Sequence, residues 1–109
     1  MLQICGEKNI PVFKGHPRVS HDYALFFHGE DGFGNMYDEY AKKMGDSFLN
    51  HIQSMNAIDF LLEQSIKYKD ELVIIALAPL TNIHQCLLKD PDFGKRVKNI
   101  TMLGGTYLA

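Results

Sequence analysis

Apolar positions are ordered unevenly along this chain. Residues 51–109 carry regular patterns, whereas residues 1–50, rich in Gly, His, Phe and Asp, carry few. Ile58, Leu61, Leu62, Ser65 and Ile66 recur at the spacing of one helix face, which predicts an amphipathic helix. Asn56 suits its N-cap, Asp59 its first turn, and Lys67 and Lys69 its C-terminal end, where the dipole favours cations. Leu72-Val73-Ile74-Ile75-Ala76-Leu77 is an unbroken apolar run of strand length. With no polar alternation it predicts a strand covered on both faces, the habit of parallel sheets. Ala78-Pro79 breaks that strand. Thr81 can cap a second helix whose apolar positions are Ile83, Cys86, Leu87 and Leu88, and Asp90-Pro91 ends it, because proline disfavours the helical state in the residue before it. Val97 to Leu103 predicts another strand, closed by Gly104-Gly105. Strand, helix and strand in this order predict a right-handed βαβ crossover.

In the first half, Ile10-Pro11-Val12-Phe13 predicts a short strand whose proline lies at its beginning, where one is tolerated. Residues 14–50 read as a long connection with a helical stretch near Tyr37 to Lys43. Compact domains seldom carry connections that long unless they are functional. The fold class expected is α/β: a partial, Rossmann-like open parallel sheet with flanking helices, over one domain at 1–109.

Composition narrows the reading without changing it. With 109 residues, 46% of them hydrophobic and 22% charged, the chain suits one soluble globular domain. A formal net charge of −2 offers no basic surplus for phosphates, so no nucleic-acid partner is expected. The longest apolar run, Leu72 to Leu80, is far short of the roughly 20 residues that a membrane span needs. The N-terminus lacks the basic and long apolar regions of a secretory signal. Cys5 and Cys86 fit no metal spacing and read as buried free thiols, which suits a reducing, cytoplasmic setting, with a disulfide or a reactive thiol as the alternatives. Tyr107-Leu108-Ala109 follows a glycine loop with no closing helix. Three parallel strands so thinly covered would leave apolar patches and an open edge, so the expectation is a truncated product or a chain that needs another.

In open parallel sheets, ligands bind beyond the C-terminal ends of the strands. Three segments would lie there: Phe27 to Asn35, Leu77 to Asn82, and Met102 to Thr106. Their glycines let backbone approach a ligand, and a helix starting near Thr81 would offer free N–H groups.

The same segments carry a family resemblance. His28-Gly29-Glu30-Asp31-Gly32-Phe33-Gly34 is similar to an HG-x-DG-x-G loop. Ala78-Pro79-Leu80-Thr81-Asn82 is similar to GPLTN, Asp90-Pro91 to a following dP element, and Met102-Leu103-Gly104-Gly105 to a strand ending in MGG. Pro11-Val12 followed by Gly15 is similar to PV-x-x-G. In this order and spacing, over nearly the whole chain, the motifs resemble those of the calcium-dependent, inosine/uridine-preferring nucleoside hydrolases.

That resemblance implies an N-glycosidase acting on purine and pyrimidine ribonucleosides, with water cleaving the bond between ribose and base. It also implies calcium as cofactor, held by carboxylates and one backbone carbonyl. Leu77 matches the position of that carbonyl, or is a plain last strand residue. His28 matches a histidine at the substrate pocket, or orders its own loop. Leu103 matches an apolar residue lining the ribose pocket, or is ordinary sheet core. No residue of this chain is assigned a catalytic role.

Other candidates read more plainly. Glu30 and Asp31 are adjacent in a loop, and Asp31-Gly32 suits a turn. Asn82 reads as an aid to the helix start. His16, His21, His51 and His84 fit no metal spacing. Phe26 and Phe27 read as core or pocket wall, and Tyr37 and Tyr40 as ordinary helix or loop aromatics.

Two departures limit the inheritance. The family's D-x-D-x-x-x-DD cluster, which supplies calcium carboxylates and the water-activating aspartate, is absent, and so is its later histidine-aspartate segment. This chain alone is therefore expected neither to bind calcium tightly nor to hydrolyse nucleosides. Ala78 stands where the family has the glycine of GPLTN. The competing reading is a non-catalytic binding or interaction module derived from the same fold. Partners consistent with these readings are a ribonucleoside, a second copy of the chain, or a full-length relative. A Rossmann-like nucleotide binder is disfavoured, because no G-x-G-x-x-G turn opens a helix after a strand.

Overall fold

The computed structural model describes residues 2, 5–7, 9–17, 34–45 and 51–105. In chain order the elements are β1 (Val12–Lys14), α1 (Tyr37–Met44), β2 (Ile52–Asn56), α2 (Ala57–Lys67), β3 (Val73–Ala76), α3 (Thr81–Lys89), α4 (Phe93–Arg96) and β4 (Asn99–Met102). The chain divides into two compact units. One holds Met1–Val12 and Ser20–Gln53, the other Phe13–Val19 and Ser54–Ala109.

In the first unit, α1 opens with Asp38 and Glu39 and closes with Lys42 and Lys43, charges that match the helix dipole at both ends. Lys43 Nζ pairs with Glu39 one turn back at 2.9 Å. This helix lies where the sequence predicts a helical stretch.

The second unit is built around α2. Asn56 Oδ1 accepts the Asp59 N–H at 2.9 Å, so the predicted cap is the real one. Ile58 and Ser65 are buried, and Leu61 and Leu62 are half-buried, as the helix periodicity predicts. Ile66 departs from the pattern and lies exposed. Ile58, Cys86 and Phe93 form the core, and Leu61, Leu62, Ile74, Ile83 and Val97 pack against it. Helices α2, α3 and α4 thus meet over one face of β3.

Strands β3 and β4 pair in parallel, in the register Val73 to Asn99, Ile74 to Ile100, Ile75 to Thr101 and Ala76 to Met102. Lys98 N donates to Leu72 O at 2.9 Å at one end of this ladder, and Leu103 N to Ala76 O at 2.9 Å at the other. The crossover through α3 and α4 matches the predicted strand, helix, strand order. Among the described residues the four strands form two separate pairs, β1 with β2 and β3 with β4, instead of the single three-stranded sheet predicted. Strand β2 was not foreseen, because Ile52-Gln53-Ser54-Met55-Asn56 has no apolar run and its Asn56 signals only the start of α2.

The expectation that β3 is covered on both faces is corrected. Side chains alternate across a strand. Ile74 meets the core, whereas Val73 and Ile75 are 52% and 68% exposed. No described element lies over that second face.

Helix α4 is another element the sequence did not announce. Four residues are too few to show a helical period, yet its Phe93 is fully buried. Arg96 locks it in place. Its Nη2 donates to Asp90 Oδ2 at 2.5 Å and its Nε to Ser65 Oγ at 3.2 Å, while Ser65 Oγ donates to Leu62 O at 2.8 Å. The fully buried Ser65 hydroxyl is thereby satisfied. Of the two cysteines, expected to be buried, Cys86 is buried and Cys5 is exposed, and both are free thiols. Among the described residues no helix is long and apolar enough to cross a membrane.

Candidate functional site

The parallel register sets the C-terminal ends of β3 and β4 side by side, so Leu77-Ala78-Pro79-Leu80 and Leu103-Gly104-Gly105 leave the same edge. This is where the sequence expects two of its three ligand-facing turns. The third, around His28, lies outside the described residues, as do Glu30, Asp31, Phe26, Phe27, His21 and Thr106. Gly105 adopts φ +90°, a backbone state open to glycine and strained for other residues.

Leu77 and Leu103 are 72% and 74% exposed. Leu103 is therefore not sheet core in this structure. No hydrogen bond to a described residue engages the Leu77 carbonyl. The segments 77–82 and 102–105 contain no titratable side chain, so no general acid or base comes from them.

Helix α3 begins differently from the prediction. Its N-cap is Leu80, with no side-chain hydrogen bond, and Thr81 is already its first helical residue. The cap carbonyl is used conventionally, with His84 N donating to Leu80 O at 2.9 Å. Asn82 does not cap the helix either. Its Oδ1 accepts the backbone N–H of His16 at 2.8 Å, reaching the loop that follows β1. This contact was not read from sequence, although both partners lie in or beside quoted motifs.

The perturbed ionisations lie away from this rim. The Lys89 ammonium, then the Asn56 amide, hold the Asp59 carboxyl below the ordinary carboxylate value, and Arg96 does the same for Asp90. Burial pushes the Cys86 thiol up, which keeps it protonated and unreactive. A groove of about 490 Å³ is lined by Lys14, His16, Asn56, Gln85 and Lys89 among others, and neither Leu77 nor Leu103 reaches it.

Calcium takes about six to eight oxygen ligands. Among the described residues no group of three or more His, Cys, Asp or Glu could hold a metal ion. This rim offers backbone carbonyls, that of Leu77 among them, and no carboxylate, so the described residues do not by themselves fit a calcium ion.

The comparisons with known proteins agree with this architecture. The family model described as inosine-uridine preferring nucleoside hydrolase matches residues 1–109. Probable uridine nucleosidase 1 of Oryza sativa subsp. japonica is 36% identical over 101 residues, 91% of this chain and 27% of that protein. Probable uridine nucleosidase 2 of Arabidopsis thaliana is 33% identical over 112 residues, 98% of this chain and 33% of that protein. Among solved structures, the plant nucleoside hydrolase PpNRh1 superposes with a TM-score of 0.77 at 32% identity, over 96% of this chain and 32% of that one. A purine-preferring ribonucleoside hydrolase from Gardnerella vaginalis also gives a TM-score of 0.77, at 26% identity. The chain spans 27–33% of the length of these proteins. The agreement of motif order, parallel β3–β4 rim and family match over every residue identifies the chain as a member of the inosine-uridine preferring nucleoside hydrolase family.

Proposed function

We propose that this chain contributes the β3–β4 rim to a domain that hydrolyses the N-glycosidic bond of purine and pyrimidine ribonucleosides. In that reaction water adds across the bond between C1′ of ribose and the base nitrogen. The ribose carbon takes the hydroxyl and the departing base takes the proton. The bond breaks through an oxocarbenium-like state, which needs groups that hold the sugar and supply protons. This chain's share would be shape and backbone. Leu103 would form an apolar wall against the ribose, His28 would contact the nucleoside, and the Leu77 carbonyl would be one ligand of a calcium ion. The carboxylates for that ion, and the acid–base groups, would come from outside residues 1–109.

The observation that carries this reading is the juxtaposition of two exposed turns, at Leu77 and Leu103, on one parallel edge. Alone, the chain is inactive on this reading, because the D-x-D-x-x-x-DD cluster is absent from it. The test is base release from inosine and uridine. The purified 109-residue chain should release none. A protein extending this chain with a segment that carries such an aspartate cluster should release base in a calcium-dependent way. Release by the chain alone, or inertness of the extended protein towards both nucleosides, would overturn it.

A further inference from the structure

We propose that Asn82 is a positioning residue, a clamp that fixes the Gly15–His16 loop after β1 against the first turn of α3. Two independent features of the structure meet at this one carboxamide. Its Oδ1 accepts the His16 N–H at 2.8 Å. On the same side, a Cβ placed on Gly15 would come within 2.9 Å of Asn82 Nδ2, closer than real Cβ contacts run, and within a tight 3.0 Å of Oδ1. Gly15 does not adopt a positive φ. Its backbone could accept another residue, so what glycine provides there is close approach to the carboxamide, which a side chain would displace, and not conformation.

The two features reinforce one another. The missing Cβ lets the loop lie flat on the carboxamide, and the carboxamide satisfies the loop's next amide. An apolar side chain at 82 would leave the His16 N–H without its acceptor, and a side chain at 15 would push the loop off it. The clamp acts where the chain leaves β3. Asn82 sits one residue into α3, directly after Leu77-Ala78-Pro79-Leu80. Helix α3 has no side-chain cap of its own, so its start is held by the His84–Leu80 backbone bond and by this loop. The clamp thereby braces the turn that presents the Leu77 carbonyl. That consequence for nucleoside chemistry rests on the proposed function, whereas the clamp itself does not.

The experiment is a double-mutant cycle on the 109-residue chain, read by unfolding midpoint and by amide hydrogen exchange. Gly15→Ala alone should lower the midpoint. In an Asn82→Ala background, where the obstructing carboxamide is gone, the same change should have no further effect. Asn82→Ala should speed exchange of the His16 amide by roughly tenfold or more, the loss expected for one hydrogen bond. The His84 amide, which bonds Leu80 at the helix start, should also exchange faster. The Leu103 amide, which bonds Ala76 in the sheet, should change little, and this separates local positioning from general loosening. Asn82→Asp, which keeps an acceptor oxygen, should restore His16 protection. If Asn82→Ala does not fold, Gly15→Ala decides the matter: pushing the loop off the carboxamide should speed His16 exchange, and unchanged exchange there would overturn the clamp. Strictly additive effects of the two alanine substitutions, or unchanged His16 exchange in Asn82→Ala, would overturn the clamp. Neither result would bear on whether the extended protein cleaves nucleosides.

Discussion

At the start of α2 one side chain satisfies two partners. Asn56 Oδ1 accepts the Asp59 N–H, and Asn56 Nδ2 donates to Asp59 Oδ2 at 2.7 Å. Asn56→Ala removes both bonds and should cost about 1 kcal/mol of stability, measured by urea unfolding. Asp59 also receives Lys89 Nζ at 2.5 Å, which ties α2 to the end of α3. Because Lys89 and Asn56 hold Asp59 below 3.8 when folded, and Arg96 does the same for Asp90, both acids release protons more readily folded than unfolded. Their stabilising contribution is fully present above 3.8 and fades as pH falls through the lower folded values. The unfolding midpoint should therefore hold steady from about pH 6 to 5 and decline below about pH 4, and Asp59→Asn should flatten that decline. A midpoint that improves with acid would contradict the assignment. The Asn56 cap was legible from sequence because a cap needs only the next three residues. The Asn82 clamp was not, because its partner lies 66 positions away and a carboxamide gives no sign of which backbone it will reach.

The elements that were legible are those whose signal is local and periodic. Helix α2 shows its face, β3 shows its apolar run, and Asp90-Pro91 shows where α3 stops. Strand β2 and helix α4 are short, and their positions are set by what they pack against. Phe93 illustrates this: in sequence it is an isolated aromatic after a proline turn, yet in the fold it fills the centre of the core. Phe93→Ala should cost about 3–5 kcal/mol, enough to unfold a chain with so small a core, and circular dichroism would register the loss. The two faces of β3 make a sharper test of the architecture. Ile74 and Ile75 are neighbours of the same type, one half-buried against the core and one 68% exposed. Ile75→Lys should change stability by less than about 0.5 kcal/mol, while Ile74→Lys, which puts an unpaired charge against the core, should abolish folding. Equal sensitivity at the two positions would mean that the second face is covered in the 109-residue chain. From sequence alone the strand looked buried on both sides, since an apolar run reports the environment a strand needs and not which segment supplies it.

For the molecule as a whole, the family was legible and the site only in part. Motifs report backbone turns, and the two turns that fall within the described residues do leave one edge of a parallel pair. What a nucleoside hydrolase needs beyond those turns is charge, and charge is what this rim lacks. Uncharged carbonyls with no carboxylate among them fall short of the roughly six to eight oxygens, acidic ones included, that calcium takes, so the rim's affinity should be far weaker than millimolar. Linkage turns that into a number: with a Kd above about 1 mM, adding about 1 mM calcium stabilises the fold by less than about 0.4 kcal/mol. For a chain of this size that is at most roughly 3 °C in Tm. A thermal melt of the 109-residue chain with calcium and with chelator should therefore give nearly superimposable curves. A gain near 2.7 kcal/mol at the same concentration, the signature of a Kd about a hundredfold lower, would mean that carboxylates within residues 1–109 complete the coordination shell. The acidic half of the site would then have to be sought in this chain, with Glu30 and Asp31 the first pair to substitute.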